Sequence, residues 1–303
     1  MHRNPRSAIT VFELLVALAV IAILLGLMLP LIMRLRLIAA RVESQNNMKQ
    51  IGISMHAYHD VRGTMPPGVD ANNISAFAYV LPYIEQNNLY NQIDFNKDVS
   101  DKANKFVRAT RINVYVSPLD SFDDLGAKFG PTNYFLCAGS KHSLTNNNGM
   151  YYSGSNRRFA DITDGSSNTI WLGESLRGDG GKKAVTVKRQ HIDLAKGKLA
   201  TLKKESGVTD FKMGKNIAGN RGFSWMDGRF LQSTYTATRS LNDVRPDVNC
   251  SGMGGLSSLR SESLNTINVG AADGSVHVIA ENMNFATWQA LSTVSGGEVI
   301  PNW

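Results

Sequence analysis

Long hydrophobic runs are scarce in this chain of 303 residues, and only residues 8–33 are apolar over a length that could cross a bilayer. A helix rises about 1.5 Å per residue, so roughly 20 apolar residues span a hydrocarbon core of about 30 Å. The run is also longer than the apolar part of a secretory signal, which has roughly 7–15 residues. Because no second run approaches this length, the sequence predicts a single span joined to one large domain.

Cysteine is scarce as well, since the chain contains only Cys137 and Cys250. At most one disulfide can form between them, and it requires an oxidising compartment. A disulfide also needs the two Cα atoms within about 7 Å of each other, a distance that the sequence does not determine. One disulfide and two unpaired core cysteines are therefore both compatible with the sequence.

Arrangements of residues that are typical of catalysis are missing. His56, His59 and Asp60 lack the further ligands of a metal site, so we interpret the two histidines as surface or capping residues. The Ser/Thr-rich turn at 163–169 could hold a nucleophile, but no acid–base partner stands at a determined spacing. The glycines at 252–255 resemble a nucleotide loop in composition alone. We expect a protein that is not an enzyme.

A complete calcium loop is also missing. Residues 94–98 begin like one, but Val99 stands where glycine is expected and Lys105 where the late bidentate glutamate is expected. The EF-hand interpretation therefore fails. A looser calcium site stays open in this loop or among the aspartates at 120–124, because carboxylate oxygens suit this cation. We otherwise expect no cofactor.

Acidic residues are outnumbered, with 25 Asp and Glu against 32 Lys and Arg and a formal net charge of +7. The excess is concentrated at about 178–216, where the apolar pattern is ragged and an exposed excursion or a short helix is expected. Such a basic surface can bind DNA, anionic polysaccharide or lipid headgroups, or can simply be a solvated face. The aromatic interleaving of single-strand binders is missing, so we do not expect a nucleic-acid partner.

The apolar run contains one ionisable residue, Glu13, near its N-terminal edge. A charge at the centre of a membrane helix costs roughly 2.5–3.5 kcal/mol, so a carboxylate inside a span indicates a functional role. The alternative is that Glu13 lies shallow enough to reach the lipid headgroups. Beyond Pro30, apolar residues recur at helical spacing until the glycines and prolines of 63–68. The pattern predicts one long helix from about residue 9 to about residue 60.

The residues around Glu13 follow a recognisable order. A basic leader at 1–7 precedes the small residue Ala8, the apolar Ile9, three further residues, Glu13 and the apolar run. This N-terminus resembles that of type IV prepilins and type II secretion pseudopilins, although Ala8 stands where those proteins usually have glycine. The resemblance implies that a prepilin peptidase cuts between Ala8 and Ile9 and methylates the new amino group. It also implies that Glu13 pairs with the terminal amine of a neighbouring subunit, because opposite charges attract strongly in a low dielectric.

The same resemblance implies a location and an orientation. The protein would be a single-pass inner-membrane protein with its N-terminus in the cytoplasm and its globular domain in the periplasm or outside the cell. Charge alone does not decide the orientation, because arginines flank the apolar run on both sides.

Short motifs in the rest of the chain carry a second resemblance. They read N-N-M-K-Q-I-G at 46–52, P-P-G at 66–68, T-N-Y at 132–134, D-G-S-S-N-T-I at 164–170 and A-D-G-S-V at 272–276. They are similar to motifs of a large bacterial family of pseudopilin-like proteins whose globular domain has no assigned function. The positions that we take from the family's motifs are Asp164, Gly165, Asn168, Asp273 and Gly274. In the last motif, Ser263 replaces a histidine that the family carries ahead of its Asp-Gly pair, with nine residues between them.

Local patterns predict the elements of the globular domain. Residues 76–90 indicate a buried helix broken near Pro82, and residues 112–116 alternate as in a strand. Three Asp-Gly pairs predict tight turns. These turns lie at 164–165 before a strand at 169–172, at 227–228 within a hairpin at 223–230, and at 273–274 within a hairpin at 266–280.

These features together predict an α+β protein in which a long N-terminal helix, kinked near Pro30, leads into a β-rich, pilin-like globular domain with antiparallel hairpins. The predicted divisions are a leader at 1–8, a transmembrane and assembly helix at 9–33, its continuation at 34–62, and a globular domain at 63–303 with the basic insert at about 178–216. The expected function is that of a subunit of a pilus or pseudopilus, with prepilin peptidase, like subunits and the inner membrane as partners. The alternative is a membrane-anchored module that never polymerises and binds a polysaccharide or another anionic polymer.

Overall fold

The computed structural model describes residues 10–120, 122, 129–181, 186–262, 265–298 and 300. The chain divides into two compact units, Met1–Val42 and Glu43–Trp303. The predictions for Ala8, Ile9 and Ser263, and those for the aspartates at 123 and 124, lie outside the described residues.

A single helix, α1 (Val11–Arg62), spans 52 residues and contains Pro30. Among the described residues, α1 is the one helix long and apolar enough to cross a membrane, and none of its most apolar stretch is buried. The helix ends where Gly63 adopts a φ of 74° and donates its N–H to the carbonyl of His59. A left-handed glycine at this position commonly closes a helix, and the prolines that follow prevent its continuation.

The remaining helices are short, and the strands form two sheets. The helices are α2 (Ala76–Tyr79), α3 (Asn87–Tyr90), α4 (Lys105–Ala109), α5 (Val208–Lys212) and α6 (Phe285–Leu291). The strands are β1 (Tyr134–Cys137), β2 (Ile170–Glu174), β3 (His191–Leu194), β4 (Ile217–Ala218), β5 (Thr234–Tyr235), β6 (Asp247–Cys250), β7 (Gly255–Leu256), β8 (Thr266–Ala271) and β9 (Val276–Ala280).

The first sheet has the strand order β5-β1-β2-β8-β9, and its pairs are antiparallel except for the parallel pair β1–β5. Successive side chains of a strand point to opposite faces, and both faces of this sheet are covered. On β1, Tyr134 and Leu136 join a core cluster with Met48 and Ile51 of α1, whereas Phe135 joins another cluster with Trp288 of α6. The predicted α+β class with a long N-terminal helix is confirmed.

The second sheet has the order β4-β3-β6-β7, with β3 parallel to β6. One of its strands, β3, lies within the basic insert, and β4 directly follows the insert. The expectation of an exposed excursion is therefore wrong for β3, whereas the short helix named as the other possibility is present as α5. Leu194, Leu199 and Leu202, which read as a ragged stripe in the sequence, are partly buried against Val248 and other side chains of β6 and β7.

Two local predictions were wrong. Residues 113–115 form a short 3₁₀ helix rather than a strand, because Tyr115 turns into the core and bonds the carbonyl of Phe77. Residues 223–230 contain no hairpin strands, because the Asp227 carboxylate accepts the N–H of Arg229 and bends the chain into a loop. The hairpin of β8 and β9 is confirmed, as is the break near Pro82, which stands in a 3₁₀ helix at Leu81–Ile84.

The two cysteines are buried and unbridged. Cys137 lies on β1 in the cluster that contains Trp288, and Cys250 lies on β6 in the cluster of the second sheet. Of the two interpretations left open by the sequence, the structure shows unpaired core residues.

Candidate functional site

The first turn of α1 contains the carboxylate of Glu13. Glu13 accepts the N–H of Thr10 at 2.8 Å and its hydroxyl at 3.0 Å, and the Glu13 N–H donates to the Thr10 hydroxyl at 3.3 Å. This reciprocal pair is a capping box, which satisfies the first free N–H groups of the helix. Among the described residues, Glu13 has no cationic partner, so its only contacts are with the helix start itself.

The helix that follows Glu13 presents an apolar surface along its whole first half. Val11 is 76% exposed, Leu27 68% and Met33 72%, and the large apolar side chains between them are exposed as well. An exposed apolar surface of this length needs a cover, either lipid or other protein. None of the described residues provides one.

A buried polar network of the globular unit centres on Glu174, the last residue of β2. Its carboxylate accepts hydrogen bonds from Ser44 of α1 at 2.9 Å and from Asn268 of β8 at 2.6 Å, and a third, short one from Ser117. Burial raises the pKa of Glu174, and the three donors oppose this effect. The buried carboxylate of Glu174 therefore connects α1, the first sheet and the loop that follows the 3₁₀ helix at 113–115.

Asn133 and Asp120 extend this cluster into the loop at 117–120. The Asn133 side chain accepts the N–H of Ser117 at 3.0 Å and donates to Asp120 at 2.8 Å. Asp120 also accepts from Arg189 at 2.8 Å and from Arg177 at 3.3 Å. Burial opposes ionisation of Asp120, but its bonds and charge contacts with the two arginines outweigh this effect and lower its pKa. The Asp120 oxygens, one part of the looser calcium site that the sequence left open, are thus bound by cationic side chains.

Buried arginines form a second ionic centre that sequence reasoning missed. Arg221 and Arg260 are almost completely buried, and they share the carboxylate of Asp247 at 2.6 and 2.7 Å. Arg221 also donates to the hydroxyl of Ser175 at 2.6 Å. Burial lowers the pKa of Arg221 to about 10, and the charge of Asp247 opposes this shift. A lone arginine in a sequence indicates a solvated surface, so no sequence signal marks these pairings.

Within the described residues, this polar interior has no room for a ligand larger than a water molecule. The cavity lined by Asp120, Glu174, Arg260 and their neighbours measures about 10 Å³. A cavity of that volume holds about one water molecule. The polar residues around Glu174 therefore hold the fold together and do not form a binding pocket.

The two Asp-Gly turns of the family motifs also make tertiary contacts. Asp164 accepts the N–H groups of Gly296 and Gly297 at 2.6 and 3.0 Å, which ties its turn to the C-terminal segment. At the other turn, Gly274 adopts a φ of 81°, and its carbonyl accepts the ammonium group of Lys49 at 2.7 Å.

Side chains within each turn complete its hydrogen bonding. The Asp273 carboxylate accepts the N–H of Ser275 at 2.8 Å, and the Asn168 side chain donates to the carbonyl of Asp164 at 3.4 Å. Both turns are structural: one holds the C-terminal segment and the other docks α1.

His56 and His59 lie in an aromatic cluster, so their interpretation as surface or capping residues was wrong. The ring of His56 stacks on Phe159 at 4.6 Å and meets Trp171 edge-on at 5.2 Å, and His59 meets Phe159 at 4.5 Å. Burial lowers the pKa of His56. In the part of the chain that the structure describes, no group of three His, Cys, Asp or Glu residues could hold a metal ion.

Three adjoining surface cavities form a continuous trough, which we call the loop groove. The first, of about 720 Å³, is lined by Lys105, Phe106 and their α4 neighbours. It shares Arg108 and Phe129 with the second, of about 360 Å³. The second shares Arg229 and three other residues with the third, of about 330 Å³. No sequence motif marked this groove, because its walls come from loops that are far apart in the chain.

Comparison with known proteins agrees with the motifs of the globular unit. The model of a family described as "Protein of unknown function (DUF1559)" matches residues 36–286. The match begins after Glu13 and so carries no information about the prepilin-type N-terminus. No curated protein and no solved structure matches the chain. Since the family model covers well over half of its length, the chain belongs to the DUF1559 family.

Proposed function

We propose that this protein is a pseudopilin-like structural subunit that is processed by prepilin peptidase and assembles into a pilus or pseudopilus of type II secretion or a related envelope filament. The observation that carries the proposal is the first half of α1, an apolar helix with exposed side chains and one carboxylate in its first turn. The membrane covers this surface before assembly, and the helices of like subunits cover it afterwards.

The role proposed for Glu13 follows from the cost of burying a charge. Within a packed bundle of helices, an ionised carboxylate needs an opposite charge to offset its lost hydration. Cleavage after Ala8 creates such a charge, the amino group of Ile9, at the same end of every subunit. The contacts that Glu13 makes with Thr10 are local to the helix start, so a neighbouring amine can replace them.

The second half of α1 gives the proposed subunit a rigid connection to its globular domain. Met48, Ile51 and Met55 are each 1% exposed, and Ser44 bonds Glu174 inside the domain. A domain held in this way keeps one position relative to this half of the helix. We infer that the protein acts through assembly, without catalysis or a cofactor, with its N-terminus in the cytoplasm and its globular domain outside the inner membrane.

The experiment that tests the proposal is intact-mass measurement and N-terminal sequencing of the protein purified from its own membranes. We expect a chain that begins at N-methylated Ile9. A chain that retains residues 1–8, in cells that process their other prepilins, contradicts the proposal and leaves the apolar segment as an anchor only.

A further inference from the structure

The loop groove differs in character between its two ends. At the α4 end, the ring of Phe106 is 68% exposed, and Phe129 packs on Phe223 with ring centroids 5.1 Å apart. Lys102 and Lys105 line the same cavity. This end therefore combines exposed aromatic faces with positive charge.

The opposite end is polar and close to neutral. Its charged groups are Arg229 and Asp227, which bond to each other through the Arg229 Nε at 2.9 Å and the Nη2 at 2.5 Å. The pair raises the pKa of Arg229 chiefly through this hydrogen bonding. Amide side chains complete the wall, namely Asn220, Gln232 and Asn249.

Hydrogen-bonding groups of the groove remain available to a ligand. The Ser224 hydroxyl lines the middle cavity, and it is buried without a partner among the described residues. The Arg229 side chain is 39% exposed, and its Nη1 has no partner in the described part of the chain. Buried polar groups normally have partners, so the Ser224 hydroxyl, which has almost no accessible surface, marks a place for a water molecule in the wall of the groove, and Arg229 supplies the exposed donor.

We propose that the loop groove binds an extended acidic polysaccharide. Sugar rings expose C–H faces that pack on aromatic rings such as Phe106, and their hydroxyls both donate and accept hydrogen bonds, as amide side chains do. The lysines of the α4 end pair with the carboxylates of the polymer. The trough is open at the surface and continuous over three cavities, so it suits a chain better than a single small molecule.

Two other classes of polymer fit the groove less well. An extended peptide commonly adds to an exposed strand edge, and the one strand residue in the groove, Asn249, belongs to β6, which is paired on both sides. A single-stranded nucleic acid stacks successive bases on aromatic rings along its path. Among the described residues that line the polar end, the one aromatic ring, that of Phe230, is buried and cannot stack a base. The inference does not depend on filament assembly, because a monomeric anchored protein would present the same groove.

The test uses the full chain in detergent micelles and measures binding of oligogalacturonate by calorimetry at about 0.15 M salt, where distant charges are screened beyond roughly 8 Å. We expect Phe106→Ala to weaken binding at least tenfold and Lys105→Gln at least threefold. Phe106 is mostly exposed, so its replacement leaves the core intact, and thermal unfolding of each variant verifies this.

Matched controls lie outside the groove. Val244→Ala removes an apolar side chain that is 87% exposed, and Lys212→Gln removes an exposed lysine of the basic insert. Both should bind oligogalacturonate like the unaltered protein. The proposal is overturned if neither Phe106→Ala nor Lys105→Gln weakens binding, if Lys212→Gln weakens it as much as Lys105→Gln, or if a neutral glucan, oligoglutamate or single-stranded DNA binds as tightly.

Discussion

The Ser44 hydroxyl donates a hydrogen bond of 2.9 Å to the carboxylate of Glu174, although the two residues are 130 positions apart in the chain. The bond fastens α1 to the end of β2, in the middle of the first sheet. Asn268 on the neighbouring strand bonds the other carboxylate oxygen at 2.6 Å. The hydrogen bond between Ser44 and Glu174 thus determines the register of α1 on the first sheet. Apolar packing alone specifies this register less strictly.

Ser44→Ala should destabilise the globular unit by about 1–3 kcal/mol, because it removes one donor from a buried carboxylate. The measurement is thermal unfolding of the full chain in detergent, followed by near-ultraviolet circular dichroism. Asn46→Ala, at an exposed position two residues further along α1, is the control and should change the stability by less than about 0.5 kcal/mol. An equal loss in both variants contradicts the role given to the Ser44 bond.

The raised pKa of Glu174 predicts a pH dependence. Between the unfolded and the folded pKa of this group, the folded state binds more protons than the unfolded state. The contribution of Glu174 to stability is therefore most favourable below the ordinary glutamate pKa of about 4.3 and declines as the pH rises through its folded pKa. Glu174→Gln removes this decline, so the stability of the variant relative to the unaltered protein should improve with rising pH. Unfolding curves at pH 4 to 8 measure the difference, and a constant or decreasing difference contradicts the prediction.

Asp247→Asn should destabilise the protein by about 3–5 kcal/mol, because it leaves Arg221 and Arg260 charged and buried without their shared carboxylate. Glu262→Gln is the matched control, since this carboxylate also contacts a buried arginine but is 42% exposed. We expect the control to cost less than about 1 kcal/mol. Denaturant midpoints of the two full-length variants make the comparison, and similar losses would falsify the view that burial gives the Asp247 pairs their importance.

Gly68→Ala tests the P-P-G motif. A Cβ atom at Gly68 would lie 2.3 Å from the backbone oxygen of Tyr151, so the backbone must move to admit it. Overpacking of this kind costs typically 1–3 kcal/mol. Gly197→Ala is the control, because a Cβ there meets nothing within 4 Å. The melting temperature should fall for Gly68→Ala and stay nearly constant for Gly197→Ala. An unchanged melting temperature of Gly68→Ala would mean that the backbone at Gly68 moves away from Tyr151 at little cost, against the prediction.

Glu13→Ala should abolish assembly of the proposed filament and leave membrane insertion intact, because it removes a charge from the span while leaving the apolar helix in place. Glu43→Ala, an exposed glutamate on the same helix beyond the apolar segment, should assemble normally. Cross-linking in membranes measures assembly, and fractionation of the cells measures insertion. Normal assembly of Glu13→Ala contradicts the proposed pairing with the amine of Ile9.

Local periodicity predicted the elements whose side chains repeat in a regular way. The long helix and the hairpin of β8 and β9 both have such a pattern, with an Asp-Gly pair at the turn of the hairpin. The same rule was misleading at 112–116 and at 223–230. At 112–116, the hydrogen bond of the Tyr115 hydroxyl in the core outweighs the alternating pattern. At 223–230, the hydrogen bond of the Asp227 carboxylate within its own loop outweighs the hairpin predicted from the Asp-Gly pair. Such contacts depend on distant or irregular backbone, which periodicity does not describe.

The features of the candidate site also divide into those that one stretch of sequence reveals and those that form only when distant segments meet. The apolar segment and Glu13 are readable from the sequence, because a membrane span depends on composition and length within one stretch of chain. The network around Glu174, the sharing of Asp247 by two arginines and the loop groove arise only when segments far apart in sequence meet. Whether a charged residue is solvated, paired or buried depends on those neighbours. The sequence by itself thus determined the apolar segment and its single charge, because both depend on one stretch of chain. The tertiary structure decided which side chains the globular unit buries and which surface it leaves open.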